Sequence, residues 1–133
     1  EPLQLRCSDG NTNLGVLTDL GSITSHMLEH VQGCDALVLE CNHDAGMLAN
    51  SRYPPSVRAR IGGRFGHLEN ALAVEIYERS GGARLTHLVA AHLSRENNRP
   101  DVVRAAFAHA RGSRPGDLVI ADPVSGFGWL ELN

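Results

Sequence analysis

The sequence predicts an α/β fold, a mixed sheet covered by helices. Three observations predict it. Short apolar runs bounded by turn signals recur at 14–17, 36–39 and 85–91, the pattern of buried strands. Amphipathic stretches of helical length lie between and after them, with Ser, Thr or Pro at their starts and Gly at several of their ends. Each apolar run also stops at ionisable residues, first Asp19, then Glu40 and finally His92. In α/β folds ligands bind just beyond the carboxyl ends of parallel strands.

Taken in order, residues 3–8 and 13–18 read as two strands joined by Asp9-Gly10-Asn11, a hairpin signal because the turn needs positive φ. The second strand delivers Asp19, and Gly21 allows a sharp turn. Ser22 to Thr24 starts a helix running to about Gln32 and closed by Gly33. His26 and His30 share a face of it, four residues apart. Such a pair can bind metal, but no Glu stands between them in the H-E-x-x-H manner, and an exposed pair is the plainer reading.

Residues 35–40 form the next strand, opening into Glu40, Cys41, Asn42, His43 and Asp44. A short helix at 44–50 carries Met47 and Leu48. Tyr53-Pro54-Pro55 breaks the chain, and Pro55 begins a helix to Ile61. Arg58, Arg60 and Arg64 make a basic patch, either a solvated face or a wall that faces phosphate. The loop Gly62-Gly63-Arg64-Phe65-Gly66 delivers His67 to the N-terminus of a helix ending at Gly81-Gly82. Then comes the strand ending at His92, with Ser94 and Asn97 in the polar loop beyond it. His92 stands where a catalytic or metal-binding side chain is expected, though a histidine can also cap such a loop by a backbone hydrogen bond. Residues 100–109 form a helix with Val102, Val103, Ala106 and Phe107 inward. Residues 118–121 form a strand, and 127–132 a last edge strand.

At 133 residues the chain is one domain by length, and 42% hydrophobic against 20% charged residues permits a packed core. With a net charge of -3 no basic face is visible in the totals, so a surface that coats nucleic acid is not implied. The twelve cations are all arginine, a residue suited to bidentate phosphate contacts. Three cysteines, at 7, 34 and 41, lack CxxC spacing, and their odd number argues against a disulfide framework, so reduced thiols in a cytoplasmic protein are expected. No run is long enough to span a membrane, and no signal peptide is recognisable. The chain opens Glu1-Pro2 without methionine, straight into a strand-like run, and is expected to be a piece of something longer.

A carboxylate buried at a strand end needs a partner or a metal. A divalent cation held by His and Asp on adjacent strand ends would satisfy these groups together.

Four motifs in order, Leu17-Thr-Asp19-Leu-Gly21, Leu39-Glu-Cys-Asn-His-Asp44, Gly66-His-Leu-Glu-Asn70 and Ala91-His-Leu-Ser-Arg-Glu-Asn-Asn98, resemble the C-terminal half of a metallo-β-lactamase-fold hydrolase. The branch they resemble is that of the YycJ-like and PhnP-like single-domain hydrolases, related to tRNase Z. The resemblance covers residues 1 to about 111. It implies that the chain is one half of a four-layer αββα sandwich. Residues 1–133 would then be the C-terminal half of a single domain whose N-terminal half, with the His-x-His-x-Asp-His motif, is not in this sequence.

The resemblance also implies roles. Asp19 matches the aspartate that bridges two metal ions, and His92 the last histidine ligand of the second metal. Glu40 and His67 match the Glu of the His-Glu-Ala-Thr motif and the His of the His-Ser-Thr motif in tRNase Z, where the pair handles phosphate and leaving group. His43, Ser94 and Asn97 are candidates for substrate binding. The implied cofactors are two divalent ions, Zn or Mn, bound fully only with the other half. Two such ions about 3.5–4 Å apart would activate a bridging hydroxide. The expected function is therefore the C-terminal part of a dinuclear metal-dependent hydrolase of phosphodiesters, in nucleic acid or a small nucleotide-like ester, with this chain inactive alone and a homo-oligomer possible. The alternatives are a non-catalytic, degenerate domain kept for interaction and a hydrolase of a non-phosphate ester.

Overall fold

A computed structural model describes residues 3–81, 85–111 and 118–132. Five strands form one sheet in the order β1 (Leu5–Ser8), β2 (Asn13–Leu17), β3 (Ala36–Glu40), β4 (His87–Ala91) and β5 (Leu118–Ile120). β1 pairs antiparallel with β2, and the remaining neighbours are parallel. The helices are α1 (Ser25–Val31), α2 (Ala45–Ala49), α3 (Pro55–Ile61), α4 (Asn70–Arg79) and α5 (Pro100–Arg111). Among the described residues no helix is long and apolar enough to cross a membrane.

Local chemistry explains the boundaries. The β1–β2 turn closes as Asp9 Oδ1 accepts the N–H groups of Asn11 and Thr12, while Gly10 takes φ 100. Thr24 caps α1 by accepting the Met27 N–H, so that helix starts at Ser25 and not at Ser22. Asp44 caps α2 in the same way. The fourth helix starts later than the sequence suggests. Residues 68–70 pair with the 42–43 segment, Asn42 N–H donating to Leu68 O and Asn70 N–H to His43 O, each at 2.9 Å. The backbone is thereby held extended until Glu69, and His67 lies in the loop before α4 instead of at its N-terminus. The expected stop at Gly81-Gly82 can be followed only to Gly81, because Gly82 lies outside the described residues, as do Glu1 and Pro2.

The alternation of side chains divides the sheet into two faces. Leu17, Leu37, Leu39, Leu88, Ala90 and Leu118 point to one side. There they form a continuous core with Met27, Leu28 and Val31 of α1, Ile76 and Tyr77 of α4, and Val103 and Phe107 of α5. Leu5, Leu14, Val16, Ala36, Val38, Val89 and Val119 fall on the other side by register. No helix covers that face among the described residues; Leu14, Val16, Val38 and Val119 are half-buried and Leu5 is exposed.

The expected edge strand at 127–132 is absent. Asp122 Oδ1 accepts the N–H groups of Val124 and Ser125, turning the chain back on itself. The following apolar run lies across the second sheet face, where Phe127, Leu130 and Leu132 border a cavity of about 450 Å³ with Leu14, Val38 and Val89. The carbonyl of Glu131 sits 2.9 Å from His87 Nε2. An apolar sheet face open to water draws an apolar segment across it more strongly than an edge does. Trp129 remains fully exposed.

Candidate metal centre

Parallel pairing of β2, β3 and β4 puts their carboxyl ends side by side, with Leu17 opposite Leu39 and Glu40 opposite Ala91. The residues that follow, Asp19 after β2 and His92 after β4, therefore converge on Glu40. His67 joins them from the loop before α4. One ligand atom from each of Asp19, Glu40, His67 and His92 lies within 4.8 Å of all the others.

Glu40 is the centre of the group and is completely buried. Its Oε2 accepts the Leu20 N–H at 2.7 Å. Its Oε1 lies 2.8 Å from His67 Nδ1 and 2.7 Å from His92 Nδ1. A carboxylate only accepts, so both Nδ1 atoms carry hydrogen, and each ring keeps its Nε2 lone pair free. Three donors thus compensate a buried charge that would otherwise be costly. The two rings meet edge to face, centroids 5.2 Å apart. Asp19 is more exposed, its Oδ1 3.8 Å from His67 Nδ1 and 3.7 Å from His92 Nδ1.

Asp19 and His92 adopt left-handed backbone, both at φ 59, and they are the non-glycine residues that do so among those described. This conformation is disfavoured for residues with a Cβ. At His92 it is braced by Asn42, whose Nδ2 donates to the His92 carbonyl at 2.9 Å.

The Asp19 carboxylate and the Nε2 atoms of the two imidazoles suit a divalent transition metal, while both Glu40 oxygens are taken by N–H donors. A carboxylate on Nδ1–H with Nε2 turned free is also the usual outer support of a metal-binding histidine. The donor set therefore fits the expected metals.

The other predicted site residues sit deeper. His43 and Asn97 are buried, and Ser94 is half-buried with its Oγ accepting the Asn97 N–H. His43 Nδ1 lies 3.3 Å from Asn42 Oδ1, and burial lowers its pKa. Ser94 N–H donates to Asn42 O at 2.8 Å and Asp44 N–H to Asn97 O at 2.9 Å, so all three lie where the 42–44 segment joins the loop after His92. The basic patch is dispersed: Arg58 donates to the Ala49 carbonyl, and Arg58 and Arg60, two residues apart on α3, leave the helix in different directions. His26 and His30 are exposed, as expected, with ring centroids 4.3 Å apart.

The structure adds supports that spacing did not single out. Asn70 and Asn98 exchange a reciprocal pair of amide hydrogen bonds at 3.0 and 2.9 Å, and Asn98 Nδ2 also donates to Cys41 O at 2.7 Å. They tie the 41–44 loop to α4 and to the loop after His92. Their sequence signal is faint, two asparagines inside otherwise recognised motifs. The Leu20 N–H, a backbone group, leaves none.

No description of a known protein family matches the chain. It is 34% identical over 108 residues to the exodeoxyribonuclease YycJ of Bacillus anthracis, an alignment covering 81% of this chain and 41% of that protein. It is 35% identical over 83 residues to the exodeoxyribonuclease WalJ of Streptococcus pneumoniae serotype 2, covering 62% of this chain and 31% of the relative. Among solved structures it resembles the metallo-β-lactamase fold protein YhfI of Bacillus subtilis, with TM-score 0.64, 22% identity, and coverage of 95% of this chain and 43% of that one. It also resembles a diphosphatase of the PhnP family, with TM-score 0.53, 19% identity, and coverage of 98% and 43%. The chain spans about two fifths or less of the curated relatives it matches.

Proposed function

We propose that this chain, which carries part of a metallo-β-lactamase fold, is the C-terminal half of a dinuclear metal-dependent hydrolase that cleaves phosphodiester bonds in nucleic acid. The observation that carries the reading is the pair of Nδ1 atoms on the single oxygen Glu40 Oε1, beside the Asp19 carboxylate. An interaction domain has no use for two imidazoles oriented on one buried carboxylate beside two strained strand ends. The exodeoxyribonuclease relatives supply the substrate class.

Asp19 and His92 Nε2 would hold metal, Zn or Mn by donor type. Bound there, the ions supply Lewis acidity toward a phosphoryl oxygen. His67 is the group that would handle a proton: Glu40 retains the hydrogen on Nδ1, and Nε2 would first take up a proton from water and then pass it to the departing oxygen. His43, Ser94 and Asn97 would serve substrate binding through the loop junction they hold. Acting on DNA, the protein would work in the cytoplasm, which suits three free cysteines.

The rest of the protein has a defined place to pack. The sheet face bearing Leu14, Val16, Val38 and Val119 is apolar but only half-covered. Sheets with helices on one side bury the other face against a further layer. An N-terminal half docked there would bring its histidines to the open side of Asp19 and His92.

The test uses the full-length protein. Asp19→Ala should lose bound metal by elemental analysis together with nucleotide release from DNA. His67→Ala should keep metal and lower turnover by about 10²–10⁴-fold. Undiminished metal content and DNA cleavage in Asp19→Ala would overturn the reading.

A further inference from the structure

Beside the candidate centre lies a cavity of about 770 Å³ that starts at Asp19. Its polar lining consists of Gln4, Ser22, Thr24, His26, His30 and Arg64, and Asp19 is the sole carboxylate among the described residues around it. Arg64 and Phe65 stand at this cavity, on the loop that delivers His67. Phe65 is 93% exposed. A large apolar side chain held fully in water contributes nothing to the core.

The loop that carries it is rigid in construction. Gly66 N–H donates to Gly63 O at 2.8 Å, and His67 N–H to Ile61 O at 2.8 Å. A Cβ on Gly66 would stand 2.1 Å from the Ile61 carbonyl oxygen, so the turn closes only on glycine. On the other flank a Cβ on Gly21 would stand 2.2 Å from the Arg64 carbonyl oxygen. The loop is therefore clamped between α3 and the segment after Asp19. The backbone on both sides of Phe65 is thereby held close to its neighbours, between His67 and the segment after Asp19. The Arg64 guanidinium lies 5.5 Å from the centroid of the Phe65 ring. An exposed aromatic face with a guanidinium against it matches a nucleotide: the ring stacks on a base and the cation meets a phosphate.

We propose that Arg64 and Phe65 form a nucleotide subsite in which Phe65 stacks on an unpaired base of the substrate strand and Arg64 holds a phosphate of that strand. The assignment rests on the nuclease reading above. It makes the substrate single-stranded at this position, because a base inside a duplex has both faces covered by its neighbours. It also makes recognition tolerant of sequence, since every base offers a π-face.

The experiment measures binding of a short fluorescent single-stranded oligonucleotide to full-length protein in EDTA, where cleavage is suppressed. Phe65→Ala should weaken binding by about tenfold, while Phe65→Trp retains it. An abasic strand should bind the wild type as weakly as the base-bearing strand binds Phe65→Ala. Arg64→Gln should lower the slope of log affinity against log salt by about 0.7, one phosphate contact. The subsite is overturned if Phe65→Ala binds normally, if it weakens base-bearing and abasic strands alike, or if duplex binds with the same dependence on Phe65. Loss of thermal stability in Phe65→Ala with affinity intact overturns it too, since Phe65 is then a packing residue. Cleavage of DNA by the wild type with metal restored decides the nuclease reading separately. A protein that cleaves DNA but ignores Phe65 loses the subsite alone.

Discussion

Asp19 and His92 share one backbone conformation, φ 59, at the ends of two strands that flank β3. Neither residue gains packing by it, since Asp19 is exposed and His92 nearly half so. The strained turn aims the Asp19 carboxylate and the His92 ring at the same point above Glu40. Such outliers persist where surrounding structure over-determines them, and they cluster at functional sites.

Strain at Asp19 predicts an unusual ranking of variants. Left-handed backbone costs residues with a Cβ roughly 1–2 kcal/mol, and glycine almost nothing. The Asp19 carboxylate has no neighbour among the two rings closer than 3.7 Å, so truncation removes little direct bonding. Asp19→Gly should be as stable as Asp19→Ala or more so, by up to about 1 kcal/mol after the larger unfolded-state entropy of glycine is deducted. Both should lose metal. Urea unfolding of the metal-free proteins measures the ranking, and a clear advantage for alanine would remove the strain argument.

Glu40 is predicted to act on both histidines at once. Replacing it with Gln puts an amide in place of an all-acceptor group facing the Leu20 N–H and two Nδ1–H groups. One of these donors must then face an NH₂ or give up its hydrogen to the other ring nitrogen. Glu40→Gln in the full-length protein should fold, lower metal affinity by about 10–100-fold, and change the ¹⁵N imidazole signature of His67 or His92. Unaltered affinity with both tautomers intact would show that Glu40 positions neither ring. Glu40→Ala should cost more stability, roughly 1–3 kcal/mol for each buried donor left unpaired.

How much of this was legible in the sequence follows from the range of the interactions. The β1–β2 turn, the helix start at Pro55 and the strand-end positions of Asp19, Glu40 and His92 depend on neighbours in the chain, and the residues announce them. The Glu40–His92 hydrogen bond spans 52 residues and exists because Glu40 is in register with Ala91. No local pattern encodes that register. The late start of α4 depends on pairing with residues 42–43, and the absence of an edge strand at 127–132 on an apolar sheet face elsewhere. Periodicity reads neither. By sequence Phe65 is only one residue of a glycine-rich loop, because the contacts that clamp its neighbours, at Gly21 and Ile61, are tertiary.

His43 predicts a pH dependence of stability. Burial lowers its pKa below the ordinary 6.5, with Glu69, Glu40 and Asp44 opposing and His67 reinforcing that shift. In the unfolded chain the ring takes up a proton near 6.5, whereas in the folded chain it resists until a lower pH. The unfolded state therefore binds more protons between the two values, and stability rises with pH there. The contribution is intact above 6.5 and is lost as pH falls toward the folded-state pKa. Unfolding free energies measured on either side of 6.5 should drop at the acid side, and His43→Leu should reduce the drop. An equal drop in the variant would assign it to other groups.

The apolar sheet face predicts where the proposed N-terminal half would sit. Cys7 pairs with Leu14 across β1 and β2, so both side chains fall on the face that no helix covers. Cys7 is exposed, while Cys34 and Cys41 are buried and burial pushes both of their thiols up, Cys41 far up. Buried thiols of raised pKa present little thiolate and react slowly. Residues 1–133 expressed alone should therefore show one fast thiol toward a disulfide reagent, at Cys7, and should self-associate through the open face. In the full-length protein the same thiol should be protected, because a second sheet packed on Leu14, Val16 and Val38 excludes the reagent. Serine at position 7 identifies the fast site in each case. Cys7 reacting equally fast in both forms, or a monodisperse 1–133 monomer that unfolds cooperatively, would mean that this face is not where the other half docks.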